Sequence, residues 1–97
     1  MKKLEEFECE DRYEAEKLAG LVAPQKDNSS YIAGVATVIK NEIVIILKDK
    51  SSHSVILKDN NAARRLKLLL EDVTEGKKRI SNSTFKYCTT EIGLAEV

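Results

Sequence analysis

The sequence has few of the residues from which catalytic sites are built. Its 97 residues include one histidine, two cysteines and no tryptophan. The four glycines are too far apart to form a phosphate-binding loop. Cys9 and Cys88 lack the CxxC spacing of a redox motif or a metal site. These absences predict a protein that is not an enzyme and that uses no cofactor and no metal ion.

Long apolar runs are also missing. No stretch approaches the roughly 18 consecutive apolar residues that a membrane helix needs. The charged start, Met1 to Glu6, leads into no apolar core of a signal peptide. We therefore expect no contact with a membrane, a cytoplasmic location and two free thiols.

Neither sign of charge is in excess, since 16 basic residues balance 16 acidic ones. The distribution is nevertheless uneven: residues 1–28 carry five basic and eight acidic side chains, and residues 29–97 carry eleven and eight. A dedicated nucleic-acid binder usually has a clear excess of positive charge. An uneven distribution is suited to steering a charged partner, although charges scattered over a solvated surface give the same count.

The residues that are present predict a single domain with an aliphatic core, because only three tyrosines and two phenylalanines are available. The predicted elements are an edge strand over 3–9, a helix over 12–22 capped by Asp11, strands over 31–39, 43–48 and 54–58, a helix over 61–74, and a last strand over 83–92. Ile43 to Leu47 do not alternate with polar residues, so this strand should be central and covered on both faces. Gly34 predicts a bulge or a close backbone approach, and Gly76 should end the second helix. We see no internal repeat.

These elements predict one α+β domain over residues 1–97. It is a two-layer sandwich in which a mostly antiparallel sheet of four or five strands carries two helices on one face. Residues 1–10 and 77–97 are expected to be the least ordered parts. The basic run Lys77-Lys78-Arg79 should be a linker, and Cys88 should be buried or half-buried.

The second predicted helix carries its charges in an unfavourable order. A helix dipole favours acids in the first turn and bases in the last, but Arg64, Arg65 and Lys67 come early. With Lys58 and the helix N-terminus they form a candidate site for a phosphate group or an acidic partner surface. The alternative is an ordinary solvated helix face.

The single histidine lies in a predicted turn. His53 is next to Ser52 and Ser54 and close to Ser51, so a Ser–His pair is conceivable. Neighbours within a turn rarely reach the required geometry, and no nucleophile elbow surrounds them. We therefore expect no catalysis at this turn.

Several short motifs carry a resemblance to a known family. They are Phe7, Glu10-Asp11, Ala15, Leu18 and Pro24 around the first helix, then Asn41 to Leu47, Lys48-Asp49, Ser51-Ser52, Asn60 and Arg64 to Lys67. In this order they resemble the small dimerising subunit of the KEOPS tRNA-modification complex, which runs strand, helix, hairpin and long helix. The resemblance implies a non-catalytic scaffold that dimerises, holds a catalytic partner and touches tRNA with Arg64, Arg65 and Lys67. The strand over 54–58 and the residues after the second helix depart from that pattern.

Three functions are compatible with the sequence. The first is a non-enzymatic protein–protein interaction or assembly module, a self-associating small subunit of a larger complex. Strand 31–39 or the C-terminal strand could then pair across a two-fold axis. The second is a small nucleic-acid or phosphate-binding protein that uses the basic start of the second helix. The third is a mobile-element inhibitor or immunity-type protein whose acidic N-terminal region masks a basic surface.

Overall fold

The structure is a computed structural model that describes residues 3–27 and 29–96. Those parts of the predictions that fall on residues 1, 2, 28 and 97 lie outside the described residues. The elements in chain order are β1 (Lys3–Glu8), α1 (Arg12–Val22), β2 (Ile32–Ile39), β3 (Glu42–Leu47), β4 (Ser52–Ile56), α2 (Asn60–Thr74), β5 (Arg79–Lys86) and β6 (Thr89–Ala95).

The strands form two antiparallel sheets of three strands each, in the orders β1-β6-β5 and β2-β3-β4. The predicted α+β class is confirmed, but the single sheet of four or five strands with both helices on one face does not form. Instead α1 packs mainly on β5 and β6, and α2 packs mainly on β2. The cause is the pairing of β1 with β6, which joins opposite ends of the chain and therefore leaves no local signal in the sequence.

The chain contains a structural repeat that the sequence did not reveal. The order strand, helix, hairpin occurs twice, as β1-α1-β2-β3 and as β4-α2-β5-β6. The first strand of each half pairs with the hairpin of the other half, β1 with β6 and β4 with β3. Cys9 and Leu57, which follow β1 and β4 respectively, form an isolated antiparallel bridge between the halves. The two halves are thus related by an approximate two-fold arrangement with exchanged first strands.

α1 begins at Arg12 as predicted, and α2 begins at Asn60, one residue before its predicted start. A side-chain oxygen of Asp11 accepts from the backbone N–H of Glu14 at 2.9 Å, and Asp59 accepts from that of Ala62 at 2.8 Å. Each aspartate therefore satisfies one of the free amides at a helix start. Gly76 follows α2 with a φ of 79°, as expected of a residue that ends a helix.

One continuous aliphatic core joins the two sheets and the two helices. The predicted inner face of α2 is buried; it consists of Ala62, Leu66, Leu69, Leu70 and Val73. Each fully buried leucine contributes roughly 2 kcal/mol relative to an exposed one. This face therefore holds α2 in place despite its unfavourable charge order.

β3 lies in the middle of its sheet as predicted, but only one of its faces is covered. Ile43 and Ile45 are completely buried, whereas Ile46 is 37% exposed. The cross-strand neighbours of Ile46 are Gly34, which has no side chain, and Ser52, whose side chain is small, so they shield little of it. The register of the β2–β3 pair shifts between Ile32 and Gly34, where the sequence predicts an irregularity, and again between Thr37 and Ile39.

The predicted last strand over 83–92 is wrong: this segment contributes to two strands, β5 and β6, which form a hairpin. Tyr87 and Cys88 form its turn, and Tyr87 has a φ of 54°. Cys88 is consequently exposed and not buried or half-buried as predicted. The turn escaped prediction because tyrosine and cysteine are not the residues that usually adopt positive φ.

The basic run predicted as a linker lies instead against the end of α2 and at the start of β5. Arg79 is the first residue of β5. Lys77 pairs with Glu75 at 2.9 Å and Lys78 with Asp72 at 3.5 Å, so both lysines lie back against the end of α2.

Candidate functional site

Two of the four predicted anion-binding residues are paired with carboxylates of the same chain. The Lys58 Nζ is 3.1 Å from the Glu8 Oε2, and the Lys67 Nζ is 3.6 Å from the Glu71 Oε2. These pairs are solvent-exposed, so each contributes little to stability and each lysine keeps access to water. Arg64 is exposed on α2.

Arg65 has a structural role. Its Nη2 donates to the backbone carbonyl of Glu6 at 3.0 Å, and its guanidinium lies 4.8 Å from the centre of the Phe7 ring. Arg65 and Lys58 also line an open depression of about 370 Å³ beside the start of α2. The remaining lining residues are Glu6, Glu8, Asp59, Asn61, Ala62 and Thr89. Because three carboxylates accompany two bases, the depression has mixed charge, and anion binding by these residues stays a prediction.

The edges of the two sheets differ in how they are covered. β1 and β4 are edge strands, and a side chain from the helix of the other half contacts each of them. Arg65 of α2 binds the Glu6 carbonyl of β1, and the buried Glu14 of α1 accepts from the backbone N–H of Ile56 in β4 at 3.0 Å. These two contacts obstruct pairing of β1 or β4 with another chain.

β5 and β2 are the other two edge strands, and only β5 has residues that discourage pairing. β5 carries Arg79 and Lys86 at its ends, with serine, asparagine and threonine between them. Charged side chains on an edge strand hinder its pairing with a second strand. β2, with the sequence IAGVATVI over eight residues, has no charge and no proline. Among the four edge strands described, it is the one with neither a charged side chain nor a hydrogen bond from a helix side chain to its backbone, although its register shifts twice.

Exposed apolar side chains lie at the end of this same strand. Val38 and Ile39, the last two residues of β2, are each 57% exposed. Ala36 and Thr37, which precede them, are also exposed. An unpaired, uncharged strand with exposed apolar side chains is a typical site for strand-to-strand association.

His53 lies in β4 and not in a turn as predicted, and it contacts Ser51 of the β3–β4 turn. The Nε2 of His53 is 2.9 Å from the Oγ of Ser51, and the Ser51 hydroxyl donates to a carboxylate oxygen of Asp49. Hydrogen bonds from Ser51 lower the pKa of Asp49, so the carboxylate is charged at neutral pH. Since the hydroxyl proton is committed to Asp49, the His53 Nε2 acts as the donor to Ser51. This order differs from a catalytic triad, in which the carboxylate orients the histidine and the histidine takes the serine proton.

Tyr31, the residue before β2, also contacts the β3–β4 turn. The sequence did not predict this contact. The backbone N–H of Lys48 donates to the Tyr31 carbonyl at 2.9 Å, and partial burial together with the nearby Asp49 carboxylate raises the pKa of Tyr31. The network therefore fastens the β3–β4 turn to the segment before β2. We interpret it as a contact that fixes the turn.

Within residues 3–27 and 29–96, no three His, Cys, Asp or Glu side chains are grouped so that they could hold a metal ion. Neither of the two helices described is long and apolar enough to cross a membrane. Comparison of the chain with protein-family profiles, with curated proteins and with solved structures gave no match.

Proposed function

We propose that this chain is a non-enzymatic assembly module that self-associates by pairing β2 with β2 of a second copy. The observation that carries the proposal is the unprotected β2 edge. β2 has no strand partner on its open side and no charged side chain, whereas helix side chains contact the edges of β1 and β4 and the edge of β5 is charged.

The absence of charge on β2 favours a second copy of the chain as its partner. In an antiparallel pair related by a two-fold axis, a strand lies beside a second copy of itself. Charges of the same sign on that strand can therefore face each other across the axis. Residues Ile32–Ile39 contain no charged side chain, and no repulsion or loss of charge hydration opposes their approach. A β5–β5 pair would instead bring Arg79 close to Lys86 of the second copy. Directly opposed like charges destabilise strand pairs.

Such pairing would extend each three-stranded sheet into one continuous sheet through the two-fold axis. The new backbone hydrogen bonds would satisfy the open edge, and Val38 and Ile39 would lose part of their exposure to water. Apolar surface removed from water stabilises an interface by about 25 cal/mol per Å² before the costs of association. Isologous pairing of this kind gives a closed dimer.

The dimer is proposed to be a small subunit of a larger cytoplasmic complex. The resemblance to the small dimerising KEOPS subunit supports both the dimeric state and the non-catalytic role, and it suggests a complex that modifies tRNA. The dimer test below does not depend on which complex is involved.

The experiment is size-exclusion chromatography with light scattering and refractive-index detection, on wild-type protein and two variants. We expect wild-type protein to have twice the mass of the 10.9 kDa chain. Ala36→Lys puts a charge in the middle of the β2 edge and should give a monomer. Thr84→Lys is the matched control, because Thr84 is an exposed residue at the corresponding place in β5, and it should remain dimeric.

The outcomes separate the parts of the proposal. A monomeric wild-type protein at concentrations of tens of micromolar would contradict self-association. A dimer that survives Ala36→Lys but not Thr84→Lys would place the interface on β5. Nucleic acid that co-elutes with the wild-type protein would favour the phosphate-binding alternative.

A further inference from the structure

The two cysteines, far apart in the sequence, are neighbours in the sheet. The β1–β6 pairing runs from Lys3 opposite Leu94 to Glu8 opposite Thr89. Continued by one step, the same register places Cys9 opposite Cys88. The pairing itself ends at Glu8 and Thr89, but a backbone hydrogen bond of 2.8 Å from the Cys9 N–H to the Cys88 carbonyl holds the two cysteines side by side.

Residues paired in this way have a backbone spacing that suits a disulfide. Hydrogen-bonded residues directly opposite each other in an antiparallel pair have Cα atoms about 5.5 Å apart. Disulfides span Cα separations of about 4.4–6.8 Å. Both cysteines are free thiols in this structure, Cys9 buried and Cys88 exposed.

We propose that Cys9 and Cys88 are a redox pair that closes an intramolecular disulfide when the chain meets a small-molecule disulfide such as oxidised glutathione. The inference does not depend on the β2 interface, because neither cysteine belongs to β2.

The reaction has two exchange steps. The exposed Cys88 thiolate first attacks one sulfur of oxidised glutathione, forms a mixed disulfide and releases one glutathione thiolate. The Cys9 thiolate then attacks the Cys88 sulfur and releases the second glutathione thiolate. The protein loses two protons and two electrons, and one oxidised glutathione becomes two reduced glutathione molecules.

The second step is expected to be the slow one. Burial, with smaller contributions from the neighbouring Cys88 and the carboxylates of Glu14 and Asp11, raises the pKa of Cys9 to about 11, although a hydrogen bond with Thr90 opposes this. Only the thiolate attacks a disulfide. The rate of closure should therefore increase about tenfold per pH unit between roughly pH 7 and 9.

The disulfide would stabilise the attachment of the first strand. It joins the residue after β1 to the turn of the β5–β6 hairpin and encloses most of the chain. A cross-link that encloses a long segment restricts the unfolded chain strongly. We therefore expect the oxidised protein to melt several degrees above the reduced one.

The test is to treat the reduced protein with oxidised glutathione at pH 8, quench with acid and measure the intact mass. The expected product has lost two hydrogen atoms and carries no glutathione, and peptide mapping should show Cys9 linked to Cys88. Cys9→Ala should stop at one glutathione adduct on Cys88. Cys88→Ala should react much more slowly, because its remaining thiol is buried.

The contrary results are equally specific. Wild-type protein that stops at a stable glutathione adduct, or that forms only intermolecular disulfides, overturns the proposal. So does rapid loss of both thiols in an experiment in which the far-ultraviolet circular dichroism shows unfolding. The deciding measurement is the intact mass of the wild-type protein, so it does not depend on whether either variant folds.

Discussion

Arg64 and Arg65 are adjacent in the sequence, yet their surroundings differ. Arg65 donates to the Glu6 carbonyl and lies over the Phe7 ring. The side chain of Arg64 has no hydrogen bond or ion pair with the described residues and lies exposed on α2. The sequence shows that both residues are basic. It cannot show which of them makes contacts that stabilise the fold.

Replacing each arginine in turn tests this difference. Arg65→Ala should lower the free energy of unfolding by about 1–2 kcal/mol, because a hydrogen bond from a charged group and a cation–π contact are lost. Arg64→Ala should change it by less than about 0.5 kcal/mol, as is usual for an exposed residue without contacts. Urea titration followed by circular dichroism measures both. Equal losses would contradict the role assigned to Arg65.

Two glycines within single elements, Gly20 in α1 and Gly93 in β6, lead to opposite expectations for replacement by alanine. Gly20 lies within α1, and a Cβ added there would meet nothing within 4 Å. A Cβ added at Gly93 in β6 would lie 2.0 Å from the Asn82 Oδ1 of β5. The first glycine lowers helix stability without a packing reason, and the second allows the Asn82 side chain to lie across the strand.

Gly20→Ala should raise the free energy of unfolding by about 0.5–1 kcal/mol, because alanine restricts the unfolded chain and favours helix. Gly93→Ala is the contrasting variant and should be destabilising unless Asn82 is also shortened to alanine. Thermal unfolding of the wild-type protein, Gly20→Ala, Gly93→Ala and Gly93→Ala/Asn82→Ala checks both statements. A destabilising Gly20→Ala would contradict the open surroundings of this glycine.

Individual elements were largely predictable because their signals are local. The helix bounds follow from Asp11 and Asp59 as caps and from apolar residues at helical spacing. The β5–β6 hairpin was missed because its turn uses Tyr87 at positive φ, where glycine or asparagine is the usual signal. The candidate anion-binding site was predictable to the same extent. Its basic residues can be read from the sequence, but the groups of the same chain that pair with them cannot.

At the scale of the whole molecule, the exchanged first strands make the two ends of the chain depend on each other. β1 pairs with β6, and Phe7 is completely buried in the common core. The acidic N-terminal segment is therefore part of the fold and not a detachable arm, which bears on the inhibitor hypothesis.

Deleting residues 1–10 should abolish cooperative unfolding, because it removes an edge strand and opens the core around Phe7. The control is Leu4→Lys, since Leu4 is 57% exposed on β1; this variant should unfold with a midpoint close to that of the wild-type protein. Urea titration followed by circular dichroism distinguishes the two. A truncated chain with a sharp transition would show that the remaining strands fold without β1.

The sequence by itself determined the α+β class, the two capped helices, the central position of β3 and the aliphatic core, because caps and apolar periodicity act between residues close in the chain. Only the tertiary structure decided that there are two sheets, that the halves repeat with exchanged strands, and that Cys9 faces Cys88. It also decided which edge strand stays unprotected. These features depend on pairing between distant segments, whose partners are selected by the packing of the whole core and not by any local pattern.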